Sequence, residues 1–327
     1  MPNTEVNKTI HVVAGIIRHP RNPSKLFFTQ RQKGQHLEDL WEFPGGKLEK
    51  GESRFHALQR ELEEETGIRV LSALPFHSLT HQYRDKNIFL DVWEVKDYSG
   101  RAHGREGQLS KWLDLEELSE YPFPEADLPV LQALMLPSEL LITPELTSLI
   151  VDSSLQHFQK MMQMHIYPLV LFRSHYLDNK RYLDVATKLK EICDSTNAEL
   201  IITRADLNSL QSKQFESFDR RHIDACSIKK LTNLSFDESS FLSVGCRDSK
   251  ELELAEETNC NFILLSTSCE SIEDPQKITR DWHRFKNVAL QTRIPVFAEG
   301  NIDRKDLSVA RYQGAIGVAG STDFWSQ

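Results

Sequence analysis

From residue 140 onward, eight short apolar runs recur: Leu140–Ile142, Tyr167–Phe172, Glu199–Ile202, His222–Ala225, Phe241–Gly245, Asn261–Leu265, Ile294–Ala298 and Ala315–Ala319. Each has the length of a buried strand and is too short for a core helix. Helical patterns lie between several of them, as in Tyr182, Ala186, Leu189 and Ile192, and again over Glu251–Thr258. Eight strands alternating with helices in about 190 residues leave few topologies, and the pattern predicts an α/β (β/α)8 TIM barrel. Glycine-rich loops follow the last two runs. Barrels often bind phosphate there, so Gly300, Asn301, Gly317 and Gly320 form a candidate site for a phosphate-bearing ligand.

The first half has a different rhythm. Thr9–Ile17 reads as a buried strand with Lys25–Arg31 as its hairpin partner across Pro20–Pro23, and strands are expected at Ile88–Val95 and around Gln108–Leu113. A helix is predicted from about Ser53 to Thr66, where Phe55, Leu58 and Leu62 recur at helical spacing and Gly67 follows as a terminator. Helical character returns at Asp114–Ser119 and Val130–Leu136. Strands interrupted by one long helix predict an α+β sandwich. Pro137 and Pro144 bracket the change of pattern, which places the domains at 1–136 and 137–327.

Lys and Arg number 17 against 21 Asp and Glu in residues 1–136, and 22 against 27 in the rest. Neither half has the basic footprint of a protein that binds nucleic acid directly. No apolar run is long enough to span a bilayer. Five irregularly spaced cysteines, Cys193, Cys226, Cys246, Cys260 and Cys269, point to packed, reduced thiols. With a polar start at Met1–Lys8, these features predict a cytoplasmic protein.

The predicted helix carries Glu61, Glu64 and Glu65 within an arc of about 100°. Like charges on one stripe oppose each other, and their grouping makes sense with a cation in front of them. A solvated helix face is the plainer alternative. His77 and His81, four residues apart, lack the intervening glutamate of a zinc-protease helix; Pro75 and the surrounding Leu, Phe and Tyr favour strand or loop there, and both histidines read as surface or packed residues.

Gly46, five residues, Glu52, seven residues, then Arg60-Glu-Leu-x-Glu-Glu-x-Gly-Ile68 resembles the Nudix box at every fixed position. Ala14-Gly-Ile-Ile-Arg, Trp41-Glu-Phe-Pro-Gly-Gly-Lys and Gly104-Arg-Glu-Gly-Gln look like the MutT branch, which removes oxidised guanine nucleotides. The likeness implies an α+β Nudix sandwich and metal ligands at Glu61, Glu64, Glu65, Glu106 and the Gly45 carbonyl. Mg²⁺ suits such hard oxygen donors, with Mn²⁺ as a substitute. Glu61, Glu64 and Glu106 are implied as catalytic, with the proton going to either Glu61 or Glu106. Glu52 and Arg60 are expected to pair and hold the loop against the helix.

The same resemblance puts Arg31 near phosphate and Phe43 and Lys86 near the nucleotide. Asp127 falls where that branch has an asparagine that reads the base, and Lys86 where it has arginine. An ionised carboxylate only accepts hydrogen bonds. It could take the N7–H of 8-oxoguanine, but it would repel O6 unless protonated. A plain turn role before Pro129 is the other reading of Asp127.

In the second half, Leu141-Ile-Thr-Pro, Leu200-Ile-Ile-Thr, Ser243-Val-Gly-Cys and Ile294-Pro-Val-Phe-Ala-x-Gly-Asn-Ile resemble the thiamine phosphate synthase family. By that likeness its chemistry is eroded: His175 stands at a diphosphate-binding lysine, Thr203-Arg204 replaces Asn-Asp, and Asp224-Ala-Cys226 departs from Gly-Gln after His222. The leading expectation is a Mg²⁺-dependent hydrolase of 8-oxo-dGTP or a related nucleoside triphosphate. The alternatives are a thiamine phosphate-forming transferase, or a hydrolase of another diphosphate tuned by a ligand-binding barrel.

Overall fold

The structure is a computed structural model and describes residues 9–147, 150–165, 167–203, 217–225, 227–228, 241–270 and 278–325. By compactness the chain separates into Met1–Leu136 and Pro137–Gln327.

In the first unit, β1 (Ile10–Ile16) lies between β5 (Gly45–Lys47) and β7 (Asn87–Gly100), and β6 (Ile68–Gln82) closes the far edge. A second sheet joins β2 (Arg18–His19), β3 (Asn22–Gln30) and β4 (Trp41–Glu42), with β8 (Ser110–Asp114) paired to β3. The helix α1 (Arg54–Thr66) begins at the Ser53 N-cap, whose side chain accepts from the His56 N–H, and stops at Gly67 with φ 73°. Its apolar face, Ala57, Leu58 and Leu62, packs with Val13, Ile17, Phe27, Val70 and Trp93. The short α2 (Leu128–Leu134) ends the unit.

The expected hairpin between Thr9–Ile17 and Lys25–Arg31 does not form. β1 pairs antiparallel with β5 and parallel with β7, while β3 takes the two-residue β2, then β4 and β8. Ile16 and Ile17 are both fully buried at consecutive positions. This breaks the alternation of a half-exposed strand and marks a corner where the chain changes sheets. One bond survives from the expected pairing, from the Phe27 N–H to the Ile17 carbonyl at 3.0 Å.

β6 runs for 15 residues where the sequence pattern left strand or loop open. Register shifts at Val70/Ser72, Ser72/Ala73 and Pro75/His77 hide its period, and an edge strand accommodates Pro75. His77 and His81 are buried in it, at 3% and 5% exposure. Four residues along a strand span about 13 Å, so they cannot chelate one ion. Residues 115–120 form a 3₁₀ turn where helix was expected at Asp114–Ser119.

The second unit is a closed parallel barrel of strands Glu139–Ile142, Leu169–Phe172, Glu199–Thr203, Arg220–Ile223, Phe241–Cys246, Phe262–Ser266, Val296–Glu299 and Gly317–Gly320. All eight fall on the predicted runs. Helices Asn179–Ser195 and Ser249–Glu256 realise two of the expected patterns. Cys193, Cys246 and Cys260 are buried free thiols, and burial pushes Cys193 and Cys260 up to about 12. Arg204 and Cys226 lie outside the described residues. Among the described residues no helix is long and apolar enough to cross a membrane.

Candidate active site

The loop after β4 brings Gly45 and Gly46 against β1 and α1. A Cβ at Gly45 would lie 2.1 Å from the Val13 carbonyl oxygen, and one at Gly46 would lie 2.3 Å from the Glu61 carboxyl group. Gly45 therefore needs glycine, because the obstructing atoms are backbone, whereas a side chain at Gly46 would force the Glu61 carboxyl to withdraw from the turn. The Gly45 N–H donates to Glu65 Oε2 at 3.0 Å, so Glu61 and Glu65 press on the loop from the helix side.

Arg60 braces the same corner. Its guanidinium reaches both Glu52 oxygens, at 3.1 and 2.9 Å, Glu61 Oε1 at 2.7 Å and the Lys47 carbonyl at 3.1 Å. Glu64 Oε2 lies 3.7 Å away on the exposed side. The expected Glu52–Arg60 pair is present and ties loop to helix. Glu52 and Glu61 together raise Arg60 above its ordinary value.

Glu65 carries the cost of this crowding. Burial pushes it up to about 8 against the Gly45 hydrogen bond, and Glu42, Glu61 and Glu106 add to the rise. Glu106 is exposed on the loop before β8, its backbone held by Gln32 and Gln108. Among the described residues no three His, Cys, Asp or Glu side chains close into a ready-made metal cage. Mg²⁺ does not require one, because it keeps several waters and binds through one or two carboxylates plus substrate phosphates. All the candidate donors are hard oxygens, and their mutual opposition is relieved by a cation. The residues fit that ion.

Beside this corner opens a pocket of about 230 Å³ whose lining includes Gly45, Gly46, Arg31, Phe43, Lys86 and Asp127. All four residues proposed from sequence for the nucleotide therefore meet in one cavity. Asp127 occupies the N-cap of α2 without a capping side-chain bond and is only 6% exposed. Its N–H donates to the Pro124 carbonyl at 2.9 Å, so the residue closes the turn that leads into α2 and also lines the pocket. Burial raises the Asp127 carboxyl well above the ordinary carboxylate value, Glu42 adds to the rise, and Arg31 opposes it.

Three further lining residues were not foreseen. Glu42 pairs with Arg31 Nε at 2.8 Å, and burial raises its carboxyl against the pull of Arg31. Tyr83 carries Lys86 over its ring at 5.8 Å and meets the His36 ring at 5.4 Å. Glu42 stood inside a motif already singled out, but its contact with Arg31 comes from the β3–β4 pairing of Thr29 with Glu42, which no local pattern reveals.

At the barrel's C-terminal mouth, a pocket of about 270 Å³ is lined by Thr143, Arg173, Glu299, Gly300, Asn301 and Gly320 among others. Gly317 is not part of it. It begins its strand at the opposite end, where a Cβ would meet the Ser138 carbonyl at 2.5 Å and the Phe297 ring at 2.7 Å, so it is a packing glycine. Arg173 forms an ion pair with Asp224 at 3.2 Å and donates a hydrogen bond to Glu299. His222, fully buried, contacts Ser243 Oγ at 2.9 Å, and His175 contacts Glu145. Burial would raise Asp224, but His222 and Arg173 hold it well below the ordinary range. Its contribution to stability is present above about pH 4 and is lost as pH falls toward its folded value. Arg173→Met should lower the barrel's stability by about 3 kcal/mol, read from urea midpoints; an unchanged midpoint would show that the carboxylates do not depend on the guanidinium.

An acidic helix joined to a glycine turn beside this pocket suits phosphoanhydride hydrolysis, and comparison with known proteins shows that class. A Nudix domain model matches residues 13–133, and a thiamine monophosphate synthase model matches residues 140–324. The chain is 38% identical over 127 residues to the 8-oxo-dGTP diphosphatase of Escherichia coli (strain K12), covering 39% of this chain and 97% of that protein. It is equally 38% identical over 128 residues to the CTP pyrophosphohydrolase of the same organism, covering 39% of this chain and 93% of that one. A solved structure from a study of MutT from Aliivibrio salmonicida and Vibrio cholerae is 41% identical, covers 39% of this chain and 98% of its own, and has a TM-score of 0.35. The chain belongs to the Nudix hydrolase family through its first half and to the thiamine monophosphate synthase family through its second.

Proposed function

We propose that the first domain hydrolyses 8-oxo-dGTP, or a closely related nucleoside triphosphate, to the monophosphate and diphosphate, and so clears an oxidised precursor from the nucleotide pool. The observation that carries this reading is the meeting of Arg31, Phe43, Lys86 and Asp127 in one pocket with Gly45 and Gly46.

Glu61, Glu64, Glu65, Glu106 and the Gly45 carbonyl would hold Mg²⁺. When bound, that ion supplies charge neutralisation on the polyphosphate and an acidified water. Glu61 and Glu106 are the carboxylates proposed to take the water's proton. Arg60 and Glu52 keep α1 against the glycine turn. Phe43 offers an apolar wall for the base, and Arg31 a cation for phosphate. A protonated Asp127 both donates and accepts, so it can donate to O6 and accept from the N7–H that 8-oxoguanine has and guanine lacks. The environment that raises Asp127 thereby answers the departure from asparagine.

A substrate panel with Mg²⁺ tests the reading. The value of kcat/KM for 8-oxo-dGTP should exceed that for dGTP and CTP by at least about tenfold. Equal turnover of dGTP would reject oxidised-base selectivity, and a preference for CTP would move the assignment to that relative's substrate.

For the barrel, we infer a ligand-binding role over thiamine phosphate transfer. Arg173, the cation that lines the pocket at the mouth, is already paired with Asp224 and Glu299. Gly300, Asn301 and Gly320 remain as the phosphate site.

A further inference from the structure

Asp91 is the fifth residue of β7, fully buried, and takes no part in the pocket or the carboxylate set. Its Oδ1 accepts from Ser78 Oγ on β6 at 2.8 Å. Its Oδ2 accepts from Arg54 Nη1, at the head of α1, at 3.2 Å, and His11 Nε2 on β1 lies 3.6 Å from the same oxygen. The Arg54 guanidinium also sits over the Trp93 ring at 5.3 Å. Burial opposes this carboxylate, and His11, Arg54, Trp93 and Ser78 more than offset it.

A buried charge pair is a weak source of stability, since well-packed apolar residues of similar volume do as well or better. What it does supply is direction. Aliphatic contact through Ala57, Leu58 and Leu62 is non-directional. The other polar ties of α1, from Gln59 to the Val70 carbonyl, from Arg60 to the Lys47 carbonyl and from the Gly45 N–H to Glu65, all lie in its middle and C-terminal turns, so Arg54–Asp91 supplies the directional contact at its first turn.

Strand register shows what Asp91 is aligned with. Asp91 pairs with Val13 and with Ser78, and Val13 pairs with Gly46, so one row crosses the sheet as Gly46, Val13, Asp91, Ser78. Glu61 presses on Gly46 at one end of this row, and Arg54 grips Asp91 two strands away. The helix is therefore tied to a single row of the sheet at two points, Gly46 beside Glu61 and Asp91 through Arg54.

We propose that Asp91 is a positioning residue for the hydrolase: through Arg54 it sets the register of α1 that places Glu61, Glu64 and Glu65 over the glycine turn. This rests on the reading that those carboxylates carry the reaction. Misplacement of a reacting group by about 1 Å can cost roughly 10²-fold in rate, so register loss should fall on kcat more than on KM, because Arg31, Phe43, Lys86 and Asp127 are not carried by α1.

The test compares wild type, Asp91→Asn, Arg54→Gln, Arg54→Lys and the Asp91→Asn/Arg54→Gln double variant in the full chain, with Glu64→Gln alongside. Steady-state hydrolysis of 8-oxo-dGTP, thermal midpoint and amide hydrogen exchange over α1 are measured. Both single variants should lose about 10–100-fold in kcat with KM within about twofold. The double variant should lose no more than either single, and Arg54→Lys should restore part of the rate. Exchange in the first turn of α1 should quicken while β7 stays protected. A folded single variant with kcat within about twofold of wild type, or losses that multiply in the double variant, would overturn the proposal. If Asp91→Asn does not fold, Arg54→Gln decides alone, because that side chain is partly exposed. Unchanged activity in Glu64→Gln would instead overturn the carboxylate reading beneath it.

Discussion

Glu64→Gln should lower kcat for nucleoside triphosphate hydrolysis by roughly 10²–10³-fold or more while leaving the thermal midpoint unchanged or slightly raised. The side chain is 58% exposed and its nearest cation, Arg60, stands 3.7 Å off, so little folding energy depends on it. Removing one of several like charges from a helical stripe also relieves repulsion. Glu61→Gln is a less clean probe, because it would also remove the charge that pairs with Arg60 at 2.7 Å beside Gly46. An active Glu64→Gln enzyme would mean that the acidic stripe is a solvated face after all.

The second large effect concerns the base. Asp127→Ala should lower kcat/KM for 8-oxo-dGTP by roughly 10–100-fold, the cost of losing a hydrogen-bonding group in a buried site, with a much smaller effect on dGTP. Asp127→Asn should keep the discrimination and change its pH dependence. The Asp127 carboxyl is raised by burial and by Glu42; below its folded value it carries a proton and can donate to O6. As pH rises through that value it ionises and repels O6, so KM for 8-oxo-dGTP should climb in the wild type and stay flat in Asp127→Asn. Parallel pH profiles in the two enzymes would show that this proton does not read the base.

The barrel was legible because its strands are buried on both faces and appear as continuous apolar runs, which need no knowledge of pairing. The α1 helix was legible for a related reason: its apolar spacing, Ser53 cap and Gly67 stop are all local. Contacts set by pairing were not. The corner at Ile17 and the shifts around Ser72 and Pro75 break the strand period, so β1 was given the wrong partner and β6 was left undefined. Glu42 reaches Arg31 only because β4 lies beside β3, and Asp91 becomes meaningful only as one member of a row across four strands. Gly317 looked like the neighbouring loop glycines because composition does not tell one end of a strand from the other.

The most direct test of the central claim is ³¹P NMR of the products formed from 8-oxo-dGTP with Mg²⁺, repeated after chelation with EDTA. The account predicts 8-oxo-dGMP and diphosphate in equal amounts with Mg²⁺, and no turnover after chelation. Release of inorganic phosphate with 8-oxo-dGDP, or undiminished turnover in EDTA, would contradict it.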